Sequence, residues 1–128
     1  MSTDNSIEGL RIRREIMGEE YVDKSLLSVT EFRRPLLELI TEYGWGAVWG
    51  RPGLSRSARS LVTIGAMAAL GKQGELKSHV RGAIHNGVTP VEIQEALLQI
   101  AVYCGAGAAA EAFATVEAAL LELEAENE

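Results

Sequence analysis

The stretch of sequence that decides the fold is residues 86–105, "NGVTPVEIQEALLQIAVYCG". The opening Asn-Gly pair favours the left-handed conformation that ends a helix. Thr89 then precedes Pro90 and Glu92, which is the pattern of a capping box with proline at the first helical position. The apolar residues that follow predict a helix that continues to the last glycine of the stretch. One helix therefore ends here and a second, apolar helix begins.

Helical spacing of apolar residues extends over almost the whole chain, and β-branched clusters bounded by hairpin turns are absent. The sequence therefore predicts an all-α fold. Gly18 ends the first helix, Gly44 and Gly46 break the second, and Ser55 is a candidate N-cap for the third, central helix. The predicted helices cover about residues 7–17, 34–43, 56–71, 75 to 85 or 86, 90–105 and 108–126, and the tail after Glu124 is expected to fray.

The length of 128 residues and the 47% share of hydrophobic residues fit one domain over residues 1–128, with residues 1–20 as a helical arm. The formal net charge of −6 disfavours nucleic acid or a membrane surface as a partner, because both are polyanions. No apolar run approaches the ~20 residues that cross a bilayer, and the N-terminus does not resemble a signal peptide. We therefore expect a cytoplasmic protein.

Glu75 and His79 are four residues apart in "GELKSHVRGA", residues 74–83, and lie on the same face of a predicted helix. A carboxylate that binds an imidazole raises its pKa and fixes its tautomer, as a general acid near neutrality requires. The alternative is an ordinary pair on a solvated face shared with Lys77 and Arg81. The spacing alone favours this surface pair.

Arg51, Arg56 and Arg59 fall within nine residues, where a glycine-rich loop enters a helix. Guanidinium groups bind carboxylates through two hydrogen bonds, and a helix N-terminus also favours an anion, so the segment is a candidate carboxylate site. The same arginines would otherwise balance an acidic surface. Trp45 and Trp49 flank the loop and are candidates for the apolar wall of a small-molecule pocket, or for core or subunit contacts.

Cys104 is the only cysteine, so no internal disulfide can form, and no Cys and His cluster has the spacing of a zinc site. We expect Cys104 to pack as a small buried residue. His85, the second histidine, is expected at the C-terminal end of a helix, where it interacts favourably with the helix dipole.

Two longer stretches carry a resemblance to a known family: residues 40–70, "ITEYGWGAVWGRPGLSRSARSLVTIGAMAAL", and residues 74–113, "GELKSHVRGAIHNGVTPVEIQEALLQIAVYCGAGAAAEAF". The tryptophan and glycine loop, the "RPGL" turn with its arginines, the Glu-x-x-x-His turn and the "NGVT" helix start resemble the gamma-carboxymuconolactone decarboxylases of bacterial protocatechuate breakdown. The resemblance extends from about Arg13 to Leu123.

The wider family also contains alkyl hydroperoxidase D-like proteins, which use a Cys-x-x-Cys-x-x-x-His motif for disulfide chemistry. When that motif is laid on this chain through His79, Lys72 and Glu75 stand at the two cysteine positions. The dithiol cycle is therefore excluded, and this departure favours the decarboxylase branch.

The resemblance implies an alkyl hydroperoxidase D-like orthogonal bundle of about six helices that assembles into a homo-oligomer, a hexamer or a trimer, with no metal or organic cofactor. It implies conversion of 4-carboxymuconolactone, a dicarboxylate lactone, to 3-oxoadipate enol-lactone and carbon dioxide. In that reaction we expect His79, oriented by Glu75, to donate the proton. Substrate binding is expected from the loop and helix residues Arg51, Arg56, Arg59, Trp45 and Trp49.

Two rival functions stay open at this stage. A non-catalytic oligomeric binding or scaffold protein of the same fold would use Glu75 and His79 for subunit contacts only. A peroxide-reducing enzyme would need Cys104 with a depressed thiol pKa and a resolving partner, and the sequence offers neither. A pocket that reaches His79 and at least one of the arginines would favour the decarboxylase over the scaffold.

Overall fold

The computed structural model describes residues 4–127, which form seven α-helices and one π-helical turn. No strand occurs within these residues, so the all-α prediction is confirmed. The helices are α1 (Asp4–Met17), α2 (Glu19–Leu27), α3 (Arg34–Ile40), α4 (Arg56–Leu70), α5 (Gln73–His85), α6 (Pro90–Cys104) and α7 (Ala106–Glu126), and the π-helical turn (Thr41–Gly46) continues α3.

Contacts within the chain define two compact units, Met1–Arg56 and Ser57–Glu128. The N-terminal unit holds α1 to α3, the π-helical turn and the first residue of α4, and the C-terminal unit holds the remaining helices. A single domain over residues 1–128 with an arm over residues 1–20 stays a prediction. Within the N-terminal unit, α1 buries Ile12, Ile16 and Met17 in a core of its own.

The core of the N-terminal unit forms where α1 packs against the π-helical turn. The two backbones approach closely at two glycines. A Cβ atom on Gly9 would overlap the carbonyl oxygen of Thr41 and lie 2.9 Å from the backbone nitrogen of Gly46. A Cβ atom on Gly46 would overlap the carbonyl oxygen of Asn5. Since only a hydrogen atom fits at either position, glycine sets the distance between the two elements.

The π-helical turn differs from the sequence prediction, in which Gly44 and Gly46 break the helix. The backbone continues through both glycines. Hydrogen bonds that reach five residues back run from the Ala47 nitrogen to the Glu42 oxygen at 3.1 Å, and from the Trp49 nitrogen to the Gly44 oxygen at 3.0 Å. Glycine makes helical backbone less stable without forbidding it, so the prediction of a break was wrong. Such turns are rare and often lie at functional sites.

The helix that opened the sequence analysis begins as predicted. The backbone nitrogen of Glu92 donates to Oγ1 of Thr89 at 3.1 Å, and Oε1 of Glu92 accepts from the backbone nitrogen of Thr89 at 2.9 Å. Pro90 is the first residue of α6, and Gly87 has a φ of 88° in the turn before it. The predicted capping box and glycine stop are therefore confirmed.

A larger core fills the C-terminal unit, to which α4, α5, α6 and α7 all contribute. Small residues on three of these helices belong to this core, which lets the helices approach closely. The buried members are Ile64, Ala68, Leu76, Val80, Ala83, Val88, Ile93, Leu97, Ala112, Val116 and Ala119.

Two ion pairs join α5 to α7. Nζ of Lys77 lies 2.7 Å from Oε1 of Glu122, and Nη2 of Arg81 lies 2.6 Å from Oε2 of Glu126. Both pairs span 45 residues, so the partners advance by four residues on each helix and the two helices run parallel here. These pairs are partly exposed and each contributes only roughly 0–1 kcal/mol. They fix the alignment of α5 with α7 more than they stabilise the fold.

Two further features of the N-terminal unit differ from the predicted helices. Gly18 predicts a helix end, and no helix is predicted over residues 19–27, where α2 lies. With a φ of 93°, Gly18 joins α1 directly to α2 instead. The other feature is α3, which buries no side chain although its sequence is rich in leucine. Its apolar side faces solvent in the isolated chain.

Candidate active site

The predicted acid pair lies on α5, in the C-terminal unit. Glu75 is exposed in the first turn of α5, and His79, one turn later, is half-buried. Leu76 and Val80 are fully buried, because they form the face of α5 that packs into the core. The side-chain carboxylate of Glu75 makes no hydrogen bond or ion pair with another residue between 4 and 127. The two side chains therefore share a helix face without the predicted hydrogen bond between them.

The surface alternative for this pair stays open, because Glu75 is exposed. Lys77 and Arg81 bind carboxylates of α7, at Glu122 and Glu126, and neither cation pairs with Glu75. Both cationic side chains therefore form ion pairs with α7. The Glu75 carboxylate stays accessible to a ligand one turn before His79.

The three predicted arginines are divided between the two units. Arg51 is exposed in the turn after the π-helical turn, and Arg56 is the first residue of α4; both belong to the N-terminal unit, as do the two tryptophans. Arg59 lies three residues further along α4 and belongs to the C-terminal unit, as does the acid pair. The predicted binding residues thus fall into an N-terminal and a C-terminal group.

A carboxylate that the sequence analysis missed holds Arg56. Nη1 of Arg56 donates to Oε1 of Glu15, on α1, at 2.6 Å. The other oxygen of Glu15 accepts from Arg11, and the same guanidinium binds both oxygens of Glu8. The spacing of Glu8, Arg11 and Glu15 is a visible helical pattern. No sequence signal connects Glu15 with a residue 41 positions away.

These contacts shift the pKa values of both carboxyl groups. The hydrogen bond from Arg56 holds the pKa of Glu15 below its usual range, and the hydrogen bond from Arg11 does the same for Glu8. Both groups are therefore ionised at neutral pH. Their contribution to stability is present above the ordinary carboxyl pKa and is lost as the pH falls through the lowered value. Because the side chains are exposed, this contribution is small.

Trp45 and Trp49 stack on one another, with ring centroids 5.0 Å apart and ring planes 24° from parallel. Trp45 is buried among the apolar residues of α1 and α2, whereas Trp49 is half-buried. Trp45 therefore serves as a core anchor, which was one of the two alternatives for it. Trp49 retains surface that a ligand could contact.

A groove in the C-terminal unit encloses about 290 Å³. Leu97, Phe113 and Val116 give it apolar walls, and Glu117 and Glu124 add carboxylates. None of the predicted site residues lines it. This groove is therefore distinct from the site that the sequence predicted.

Cys104 corrects another expectation. It is exposed at the last residue of α6, where Val102 and Tyr103 are also exposed, so the prediction of a small buried residue was wrong. Among residues 4–127, no element covers this apolar end of α6. His85, by contrast, is the last residue of α5, as predicted.

Between residues 4 and 127, no three His, Cys, Asp or Glu side chains are grouped so that they could hold a metal ion. None of the helices described above combines the length and the apolar character needed to span a bilayer.

Comparison with known proteins assigns the class. The carboxymuconolactone decarboxylase family matches residues 34–118, which include the tryptophan loop, the three arginines, the acid pair and the capping box. The chain belongs to this family. The resemblance seen in the sequence is therefore confirmed.

Two curated relatives refine the comparison. The chain is 51% identical over 105 residues to a nitrosuccinic acid decarboxylase of Metarhizium robertsii, covering 82% of this chain and 73% of that protein. It is 43% identical over 98 residues to a 4-carboxymuconolactone decarboxylase of Acinetobacter baylyi, covering 77% of this chain and 73% of that protein. Both relatives are decarboxylases, and the chain is accordingly a carboxy-lyase.

Proposed function

We propose that the protein decarboxylates 4-carboxymuconolactone to 3-oxoadipate enol-lactone in protocatechuate catabolism, without a cofactor. The observation that supports this most is the match to the carboxymuconolactone decarboxylase family over residues 34–118, together with 43% identity to a decarboxylase of that substrate.

The chemistry of the substrate explains what the protein must supply. The departing carboxylate sits on a ring carbon that is conjugated through a double bond to the lactone carbonyl. When the carbon–carbon bond to the carboxylate breaks, its electron pair spreads into a furan-like dienolate and carbon dioxide leaves. A proton then adds to the carbon beside the carbonyl. The protein therefore has to hold a dianion, stabilise negative charge on the lactone oxygen and deliver one proton.

His79 is the proton donor in this proposal. It is half-buried on α5, while the carboxylate of Glu75 stands one turn away on the same helix. The cations of α5 bind α7, so they do not compete for Glu75. When substrate excludes water from this face, a hydrogen bond from His79 to Glu75 would orient the imidazole and favour its protonated form.

Arginine binds the substrate carboxylates in this proposal. The loop and helix start supply Arg51, Arg56 and Arg59, whose planar guanidinium groups match a carboxylate with two parallel hydrogen bonds. Trp49, stacked on Trp45, offers an apolar surface beside this segment. Loss of water from the departing carboxylate at such a surface favours its release as neutral carbon dioxide.

A second candidate substrate is nitrosuccinate, which the 51% identity to a nitrosuccinic acid decarboxylase favours. Nitrosuccinate carries a nitro group on the carbon that bears one of its two carboxylates. Loss of that carboxylate moves the electron pair into the nitro group as a nitronate, and a proton then adds to carbon. The demands on the protein are the same: a cation for the second carboxylate, donors for the developing oxygen charge and a proton source.

The test offers both substrates to the purified protein. With freshly generated 4-carboxymuconolactone, we expect the ultraviolet absorbance of the unsaturated lactone to fall as carbon dioxide is released. Faster turnover of nitrosuccinate would replace the first candidate by the second. If neither substrate loses carbon dioxide while a known decarboxylase acts on its own substrate in parallel, the proposed function is wrong and the scaffold alternative is favoured.

We also propose that the chain forms a homo-oligomer, a hexamer or a trimer. Phe32 is 94% exposed and Leu27 is 88% exposed, and Leu36 and Leu39 of α3 are exposed beside them in sequence. A large exposed apolar patch marks a protein interaction site, and in the proposed oligomer these side chains are buried between subunits.

Aspartate at two of these positions tests the oligomer. We expect Phe32→Asp with Leu36→Asp to reduce the molecular mass measured by sedimentation, because a buried charge would oppose assembly. Gln99→Asp, at an exposed polar position of α6, is the control: it adds a negative charge where no apolar side chain is replaced and should leave the mass unchanged. An unchanged mass for the double variant, or a monomeric starting protein, would contradict the proposed interface.

A further inference from the structure

The contact between Glu15 and Arg56 identifies a residue that acts on the proposed substrate-binding arginine. Arg56 begins α4, and Glu15 lies in the last turn of α1. Nη1 of Arg56 donates to Oε1 of Glu15 at 2.6 Å, and the two side chains are 37% and 42% exposed. This hydrogen bond holds Nη1 of Arg56 in place, while the guanidinium group as a whole stays accessible to solvent.

Glu15 is itself held from the other side. Its second oxygen accepts a hydrogen bond from Nη1 of Arg11, and Arg11 also binds Glu8 one turn earlier on α1. Each oxygen of Glu15 therefore faces a different guanidinium group, which restricts rotation of the carboxylate. The charge of Arg56 also acts on Glu8, so two carboxylates and two guanidinium groups balance within this cluster. Arg56 therefore has to bind a further anion through its unused N–H donors.

The rest of the Arg56 guanidinium is available. Within residues 4–127, Glu15 is its only hydrogen-bond partner, and only Nη1 takes part. Nε and Nη2 form another edge of the planar guanidinium group, and the two N–H donors of this edge can bind both oxygens of a carboxylate. The side chain is thus anchored at one end and open at the edge best suited to a carboxylate.

We infer that Glu15 is a positioning residue that holds Arg56, through Nη1, in the orientation in which its free edge binds a carboxylate of the substrate. This inference rests on the proposed function. It singles out Arg56 among the three predicted arginines, and it gives α1 a role in substrate binding without contact between Glu15 and the substrate.

Steady-state kinetics with the preferred substrate tests the inference. Glu15→Ala should raise KM roughly tenfold, the usual weight of one hydrogen bond to a charged group, and leave kcat within about threefold. Glu15→Gln should recover part of the affinity, since its amide oxygen still accepts from Arg56. Glu20→Ala is the matched control: it removes another exposed ion pair, 3.3 Å from Lys24, and should leave KM unchanged.

A double variant shows whether Glu15 acts through Arg56. Arg56→Ala should raise KM at least as much as Glu15→Ala, and adding Glu15→Ala to Arg56→Ala should raise it no further. Additive effects, an unchanged KM for Glu15→Ala, or a fall in kcat alone would each overturn the inference while the proposed function stands. If the unsubstituted protein turns over neither the lactone nor nitrosuccinate, the proposed function fails and the inference fails with it. Circular dichroism of each variant separates these results from loss of fold.

Discussion

Replacing Gly9 by alanine should be among the most damaging single changes to the N-terminal unit. The added Cβ would overlap the carbonyl oxygen of Thr41 and lie 2.9 Å from the nitrogen of Gly46. Both neighbours are backbone atoms, so no change of rotamer can relieve the clash, and α1 must move away from the π-helical turn. We expect the free energy of unfolding to fall by about 3 kcal/mol, the upper end for overpacking.

Tryptophan fluorescence is the natural measurement for this variant. Both tryptophans of the chain, Trp45 and Trp49, lie in the N-terminal unit, so their emission during urea unfolding reports on that unit. Gly107→Ala is the control, because a Cβ on Gly107 in α7 meets nothing within 4 Å; this change should not lower the midpoint, and the higher helix propensity of alanine acts only to raise it. An unfolding midpoint for Gly9→Ala equal to that of the starting protein would show that the close approach does not exist in solution.

His79→Ala should give the largest loss of activity. General acid catalysis contributes about 10²–10⁴-fold, and kcat should fall by that factor because no other residue in the proposal delivers the proton. His85→Ala is the matched control, since His85 is the only other histidine and is exposed at the end of the same helix. The measurement is kcat on whichever substrate the starting protein turns over. A kcat within about threefold of the starting protein would remove His79 from the mechanism.

Glu75→Gln separates two roles within the pair. The Glu75 carboxylate accepts no hydrogen bond from His79 in the structure, so the orienting contact has to form when substrate binds. If it does, Glu75→Gln should lower kcat by roughly tenfold, less than His79→Ala, because the imidazole is present but poorly oriented. If Glu75→Gln leaves kcat unchanged while His79→Ala is inactive, His79 keeps its role as proton donor and Glu75 has no orienting role.

The parts of the fold that could be predicted from the sequence are those fixed by local chemistry. The capping box at Thr89 and Glu92 was predictable because both hydrogen bonds join residues three positions apart. The glycine stop at Gly87 follows from one residue's freedom to adopt a positive φ. For the same reason Glu75 and His79 could be placed on one helix face before the structure was known.

The remaining features depend on tertiary contacts that spacing does not encode. Glu15 and Arg56 meet across 41 residues, so neither position signals the other in the sequence. Gly44 and Gly46 resemble a helix break in the sequence. The structure shows instead that the backbone of α1 packs against Gly46. The exposure of Cys104 could not be predicted either, because burial of an apolar helix end depends on which other helices pack against it.

The π-helical turn has a consequence for how this chain can change during evolution or engineering. A π-helical turn accommodates one residue more than regular α-helix, and each residue of an α-helix turns the chain by about 100°. Deleting one residue between Thr41 and Gly46 would let the segment relax to ordinary helix with α3 near its present orientation, whereas the same deletion in regular helix would rotate α3 by about 100° relative to Trp45. A single-residue gap in this segment is therefore compatible with the tryptophan stack, which a gap in regular helix would disrupt.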